Sequence, residues 1–179
     1  MINIHMREDQ FNNLIQLNKS NKEETSGTMQ IKQSGNDIVI DKILIGDNDI
    51  YQERSPKYIE YDIEKWLPKT LWNLYVTDTP YYIMFHTHPG LRGAPKLSDA
   101  DKDMLKYIQS LTKKIPGKEN TLVIEGIITR QEIAFYSYDE NTQEILNIPL
   151  FVNGEEKKLS KNQSFLEAFR EGFRRESRR

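Results

Sequence analysis

Residues 81–85 (Tyr-Tyr-Ile-Met-Phe) form a continuous apolar run directly after Pro80. Such a run is typical of a strand buried on both faces, so the rest of the chain must cover it from two sides. The run leads straight into His86-Thr87-His88, which holds two of the three histidines in the chain. Because alternate side chains of a strand point to the same face, both imidazoles can approach one ion. The sequence therefore predicts a buried central strand that ends in a candidate metal site.

Hydrophobic spacing and turn residues predict the elements around this strand. The expected helices lie at about residues 7–20, from Asp62 through Leu74 with a kink or late start at Pro68, and from Ser98 onward. The expected strands are 28–32 and 38–40, joined by a Gly/Asn turn, and 122–128, 132–138 and 145–152. Residues 46–56 are polar and are predicted to be a loop. The simplest packing of this order is an α/β fold, a mixed β-sheet flanked by helices.

Composition narrows the class of protein. A chain of 179 residues suits one domain, and a net charge of -2 argues against a general nucleic-acid binder. The chain has no cysteine, which excludes disulfides, thiolate zinc ligands and a thiol nucleophile and fits a reducing cytosol. Charges interrupt every apolar run, so no membrane span is expected. Residues 1–10 do not look like a secretory signal, and the expectation is a soluble cytoplasmic protein.

The histidine pair has a carboxylate partner in the sequence. Ser98 and Asp101 stand at the start of the next predicted helix, one short loop after His88. Two neutral imidazoles and one carboxylate are a common ligand set of catalytic zinc, which leaves a fourth position for water. The Ser-x-x-Asp pattern is also that of an ordinary capping box, which needs no metal. Both interpretations can hold together, because a helix N-terminus can cap itself and present a ligand.

The combined pattern resembles a known family. His86-Thr87-His88-Pro89 followed by Ser98-Asp99-Ala100-Asp101 is similar to the signature of JAMM/MPN-type metalloproteases, which include deubiquitinases and their prokaryotic JAB-like relatives. The family motif also contains a glutamate on an early strand, often within Glu-x-x-Gly, and Glu24-Thr25-Ser26-Gly27 matches it. The resemblance extends from about residue 7 to residue 150. It implies the three-layer architecture shared with cytidine deaminases, in a domain that spans residues 1–155.

The resemblance also implies roles for the matched residues. His86, His88 and Asp101 would bind Zn²⁺, Glu24 would act as general base toward a water activated by zinc, and Ser98 would donate a hydrogen bond to the developing oxyanion. The implied activity is that of an isopeptidase or peptidase that removes a ubiquitin-like protein or tag from a lysine. The substrate would bind as an extended C-terminal tail, added as a strand to an exposed edge.

Several positions leave alternatives open. The interval from His88 to Asp101 is two residues longer than is usual in the family, so Asp99 is a second candidate for the carboxylate ligand. Glu23 is a second candidate for the base, and only one of Glu23 and Glu24 can face the site, because neighbouring side chains of a strand point to opposite sides. Further candidates for the base precede the histidines, namely Glu53, Glu60 and Glu64.

Two other functions compete with the isopeptidase. The first is a peptidase that trims the C-terminus of a sulfur-carrier protein, which the sequence does not separate from the isopeptidase. The second is a catalytically silent scaffold of the same fold that only holds a partner. In either case the sequence indicates a protein partner, and neither nucleic acid nor a membrane.

The two ends of the chain differ from its middle. In residues 156–179, Phe165, Phe169 and Phe173 recur every four residues and the end is rich in arginine. This spacing predicts an amphipathic basic helix docked on the same domain. Alternatives are a helix that binds a partner, that joins two copies in a homodimer, or that lies on a membrane surface. The N-terminal segment around His5 is expected to be disordered and uninvolved.

Overall fold

The computed structural model describes residues 2–55 and 59–160. These residues form a curled mixed β-sheet, a separate hairpin, three α-helices and a short 3-10 helix at Asn48–Ile50. The helices are α1 Glu8–Ser20, α2 Ile63–Val76 and α3 Asp99–Thr112. The strands are β1 Asn3–Met6, β2 Ser26–Ser34, β3 Asp37–Ile45, β4 Tyr51–Arg54, β5 Ile59–Tyr61, β6 Tyr81–Thr87, β7 Leu122–Ile128, β8 Ile133–Asp139, β9 Glu144–Ile148, β10 Leu150–Val152 and β11 Glu155–Glu156.

The main sheet has nine strands in the order β11-β10-β1-β3-β2-β6-β7-β8-β9. Strand β1 is parallel to both of its neighbours, β6 is parallel to β7, and the other pairs are antiparallel. Strands β4 and β5 form a two-stranded antiparallel hairpin of their own. The mixed sheet and its helices confirm the predicted α/β class.

Helices cover both faces of this sheet. Leu14 and Ile15 of α1 belong to one apolar cluster, which also contains Ile83 and Phe85 of β6. Helices α2 and α3 belong to a second cluster, which contains Tyr82 and Met84 of the same strand. Successive side chains of β6 therefore enter different cores, as the strand's alternating geometry requires. The prediction that this strand is buried on both faces is confirmed.

The hairpin β2–β3, α1, α3 and the strands β6, β7 and β8 agree with the predicted elements. Helix α2 begins at Ile63 and continues through Pro68, so no late start occurs. The predicted strand 145–152 is divided at Pro149 into β9 and β10. Proline has no N–H to donate, which ends one ladder at that point.

Two predictions for irregular segments were wrong. The N-terminal segment is not disordered, because β1 lies inside the sheet with Ile4 fully buried, and the His5 ring stacks on Phe151. Residues 46–56 are not one loop, since they contain the 3-10 helix and β4. Strands of four residues are too short to show periodicity. Strand β1 forms by pairing with β3 and β10, and β4 by pairing with β5.

None of the helices within the described ranges is long and apolar enough to cross a bilayer. Beyond β11, the chain continues along the body, where the Lys157 N–H donates to the carbonyl of Leu150 at 2.8 Å. The predicted helix with Phe165, Phe169 and Phe173 lies outside the described residues.

Gly27 is the glycine of the Glu-x-x-Gly segment, and the fold leaves no room for a side chain there. A Cβ at this position would lie 2.2 Å from the Leu44 carbonyl oxygen and 2.7 Å from the Phe85 ring. We expect Gly27→Ala to lower the free energy of unfolding by about 1–3 kcal/mol, the usual cost of overpacking. Thermal denaturation would show a Tm lower by several degrees, with Ser34→Ala at the exposed end of the same strand as the control. Equal Tm values for Gly27→Ala and the native chain would contradict the packing argument.

Candidate metal centre

The two histidines stand at the end of β6, in the middle of the sheet. His86 is paired with Ser26 of β2 and with Ile127 of β7. His88 follows the strand, and its backbone N–H donates to the carbonyl of Ile128 at 2.8 Å. The Nε2 atoms of the two imidazoles lie 3.0 Å apart. Two strands therefore hold the histidines so that their Nε2 atoms converge.

Asp101 brings a carboxylate to the same point from the first turn of α3. Its Oδ1 lies 3.4 Å from Nε2 of His86. Its Oδ2 accepts hydrogen bonds from the backbone N–H and the hydroxyl of Ser98, each at 2.7 Å, and the Asp101 N–H donates to the Ser98 hydroxyl oxygen at 3.2 Å. The capping box and the approach to the histidines thus coexist, with one carboxylate oxygen used for each.

The three side chains fit a zinc ion by their chemistry and spacing. One ligand atom from each of His86, His88 and Asp101 can be chosen so that all lie within 4.8 Å of one another. Tetrahedral ligands at about 2.0–2.2 Å from zinc are separated by roughly 3.3–3.6 Å. The distances of 3.0 Å and 3.4 Å between ligand atoms are close to that separation. Imidazole and carboxylate are also donors that zinc prefers.

Glu24 lies next to this group, just before β2. Its side chain is buried, and its backbone N–H donates to the carbonyl of Ser55 at 2.9 Å. The next residue is fixed to β6, since the Thr25 N–H donates to the Thr87 hydroxyl at 2.9 Å and the Thr87 N–H donates to the Thr25 carbonyl at 2.8 Å. These bonds direct the Glu24 carboxylate toward the histidines.

The contact between Glu24 and His88 is close but poorly aligned. Oε1 of Glu24 lies 3.0 Å from Nδ1 of His88. The same oxygen is buried and accepts no well-directed hydrogen bond from the described residues. A buried carboxylate oxygen without such a bond is costly unless a further partner, such as a cation or a bound water, reaches it.

The alternative acids lie elsewhere. Glu23 points outward with 52% of its side chain exposed, and its Oε2 lies 3.4 Å from Nη2 of Arg54. The Asp99 side chain is 96% exposed and pairs with Lys102 at 2.7 Å. The other candidates for the base are exposed on the separate hairpin and on α2, namely Glu53, Glu60 and Glu64. The structure brings none of these five acids to the histidines.

The long loop between His88 and Asp101 is held against the turn that follows β7 and against β8. The Thr129 hydroxyl donates to the carbonyl of Gly93 at 2.9 Å, and the Tyr136 hydroxyl donates to the carbonyl of Pro95 at 2.6 Å. The side chain of Leu97 is buried just before the helix. The length of this loop therefore does not keep Asp101 from the histidines, since its Oδ1 lies 3.4 Å from Nε2 of His86.

One residue of the site was missed by the sequence analysis. Glu125 of β7 is buried, and its Oε1 lies 2.7 Å from Nδ1 of His86. The sequence does contain a feature that points to this residue, because Glu125 is the one charged residue in the otherwise apolar run 122–128. A charge inside a buried strand requires a partner, and here the partner is an imidazole.

The carboxylates around His86 favour a positive charge at its imidazole ring. Burial lowers the pKa of His86, but the hydrogen bond and charge of Glu125, together with the charges of Asp101 and Glu24, raise it to about 9. Burial raises the pKa of the Glu125 carboxyl. The site therefore stabilises a cation near His86, whether that cation is a proton or a metal ion.

A cleft of about 340 Å³ opens from the candidate metal centre. It is lined by Glu24, Ser98 and Asp101, by side chains of α2 and α3, and by residues of β5. Its walls carry large apolar side chains, among them Ile50, Tyr61, Trp66, Met84 and Met104. Its size is within the range of ligand-binding clefts.

Comparison with family models and with curated protein sequences finds no match. Among solved structures, the chain is similar to protein DSY2949 from Desulfitobacterium hafniense, which was determined in solution. The TM-score is 0.50 and the identity is 15%, over 88% of this chain and 95% of that one. At this level of identity the similarity concerns the fold alone.

Proposed function

We propose that this protein is a zinc-dependent isopeptidase or peptidase of the JAMM type. The observation that carries the proposal is the convergence of His86, His88 and Asp101, with the buried Glu24 carboxylate beside them. A mixed sheet with helices on both faces is compatible with the three-layer architecture of that family. His86, His88 and Asp101 would hold the metal.

Zinc bound there would act as a Lewis acid, which lowers the pKa of a water and polarises a carbonyl. Glu24 would accept the proton of the attacking water and then deliver it to the leaving amine. Its Oε1 supports this role, because this oxygen is buried beside the histidines and accepts no well-directed hydrogen bond from the described residues, so it could accept one from a water.

Ser98 would stabilise the oxyanion. Its side chain lines the cleft next to Asp101, and its hydroxyl hydrogen is engaged by Asp101 Oδ2 at 2.7 Å. Donation to the substrate therefore requires the hydroxyl to rotate away from Asp101. The backbone N–H of Ser98 also bonds Oδ2 at 2.7 Å, so the carboxylate keeps a partner during that exchange.

The substrate would be the extended C-terminal tail of a ubiquitin-like protein. Strands β4 and β5 form a two-stranded sheet of their own in the described part of the chain, and the edge of β5 that faces away from β4 could accept another strand. Ile59 and Tyr61 of β5 line the cleft that leads to the metal centre. A tail added at this hairpin would extend toward Glu24 and the histidines.

The test is a cleavage assay on the purified, zinc-loaded chain. The substrates are a ubiquitin-like protein joined to a lysine side chain by an isopeptide bond and the same protein with a linear C-terminal extension. We expect release of the intact ubiquitin-like protein from lysine, detected by mass spectrometry, with inhibition by a chelator and recovery with Zn²⁺. Cleavage of the linear extension alone would instead identify a peptidase that trims a carrier protein. Stoichiometric zinc without cleavage would favour a scaffold, and absence of zinc binding would overturn the proposal.

A further inference from the structure

We propose that Glu125 is a positioning residue for His86, which it holds in the tautomer and orientation needed to bind a metal through Nε2. The inference rests on the proposed metal site, and it adds a residue that lies outside the motif. Glu125 would touch neither the substrate nor the metal. It would act through the imidazole ring.

The contacts of the two imidazoles follow one pattern. Nε2 of each histidine points to the shared centre, where the two Nε2 atoms lie 3.0 Å apart. Nδ1 of each points to a carboxylate, that of Glu125 at 2.7 Å for His86 and that of Glu24 at 3.0 Å for His88. A proton held on Nδ1 leaves the lone pair of Nε2 free, which is the arrangement of carboxylate–histidine–metal groups.

The two carboxylates differ in what holds them. Glu125 Oε1 makes a hydrogen bond to the His86 ring, whereas Glu24 Oε1 accepts no well-directed bond from the described residues. Glu24 stands before the first residue of β2, whereas Glu125 lies inside β7, a strand paired on both sides. This contrast assigns the positioning role to Glu125 and leaves Glu24 for chemistry.

The strand around Glu125 makes its position rigid. Strand β7 is parallel to β6, with Glu125 opposite Met84 and Ile127 opposite His86. Val123 and Ile127, on the same face, are fully buried. An apolar residue at position 125 would suit this core, and a buried carboxylate costs stability unless it is paired. Packing alone therefore does not explain a glutamate at position 125, whereas its contact with the His86 ring does.

The experiment compares Glu125→Gln and Glu125→Leu with the native chain and with Glu144→Gln, an exposed glutamate on β9. Zinc affinity is measured by competition with a chelator, and Co²⁺ is used as a spectroscopic probe of ligand geometry. We expect Glu125→Leu to weaken zinc binding by about 10–100-fold, as loss of a residue that orients a ligand usually does. Glu125→Gln keeps an acceptor for Nδ1–H and should lose less. The visible Co²⁺ bands should change in Glu125→Leu and stay the same in Glu144→Gln.

Metal-free thermal denaturation separates positioning from folding. Without metal, Glu125→Leu should stay folded but melt at a lower temperature than the native chain, since it leaves the buried His86 ring without its partner, and it should gain less Tm when zinc is added. If the native chain binds zinc and both variants bind it equally well, the inference is overturned while the proposed function stands. If both variants unfold without metal, Glu125 serves folding and the inference is also overturned. If the native chain binds no zinc, the proposed function fails with it.

Discussion

Replacement of Glu24 by glutamine is expected to abolish hydrolysis while zinc remains bound. Glutamine has nearly the same volume and keeps an oxygen that can approach Nδ1 of His88, so the imidazole retains its surroundings. Its amide cannot accept a proton at neutral pH, and the attacking water loses its base. General bases contribute about 100–10,000-fold to rate, so kcat should fall by that factor.

The matched control is the neighbouring acid. Glu23→Gln removes an equal charge one residue away, from a side chain that is 52% exposed and directed at Arg54. Turnover of the isopeptide substrate and zinc content are measured for both variants. We expect native turnover in Glu23→Gln and full zinc occupancy in both. The assignment of the base would be wrong if Glu24→Gln kept native turnover or if Glu23→Gln lost it.

The second large effect is expected for Asp101→Asn, which should lose zinc while its helix stays intact. The carbonyl oxygen of asparagine can replace Oδ2 as acceptor for the Ser98 N–H and hydroxyl. Its amide nitrogen would then face Nε2 of His86, and an amide NH₂ is not a zinc ligand. Because loss of an orienting residue alone costs 10–100-fold, we expect loss of a direct ligand to cost more than about 100-fold in zinc affinity.

Asp99→Asn is the control for this change, since the exposed side chain of Asp99 pairs with Lys102 and not with the histidines. Zinc content and the rise in Tm on zinc addition are measured together. A 100-fold difference in affinity corresponds to about 2.7 kcal/mol of zinc-dependent stabilisation at saturating metal. Zinc loss in Asp99→Asn with retention in Asp101→Asn would move the ligand to Asp99.

Local sequence patterns were sufficient for the three side chains of the candidate metal centre and for the strand that runs into two of them. The apolar run 81–85 predicted a strand buried on both faces, and its alternation placed His86 and His88 together. The Ser-x-x-Asp pattern predicted the start of α3, because a capping box is formed within a single turn. Each of these features depends on residues fewer than ten positions apart, so the sequence determined them by itself.

Pairing between distant segments decided the rest. Glu24 rather than Glu23 faces the histidines because Thr25 is bonded to Thr87, and Glu125 meets His86 because β7 lies parallel to β6 in one register. A shift of one residue in that register would turn Glu125 to the opposite core. Strand β1 and the β4–β5 hairpin are likewise too short to be recognised before their partners are known. The sequence thus supplied the imidazoles and the carboxylate of the candidate metal centre, and the tertiary structure selected the acids that surround them.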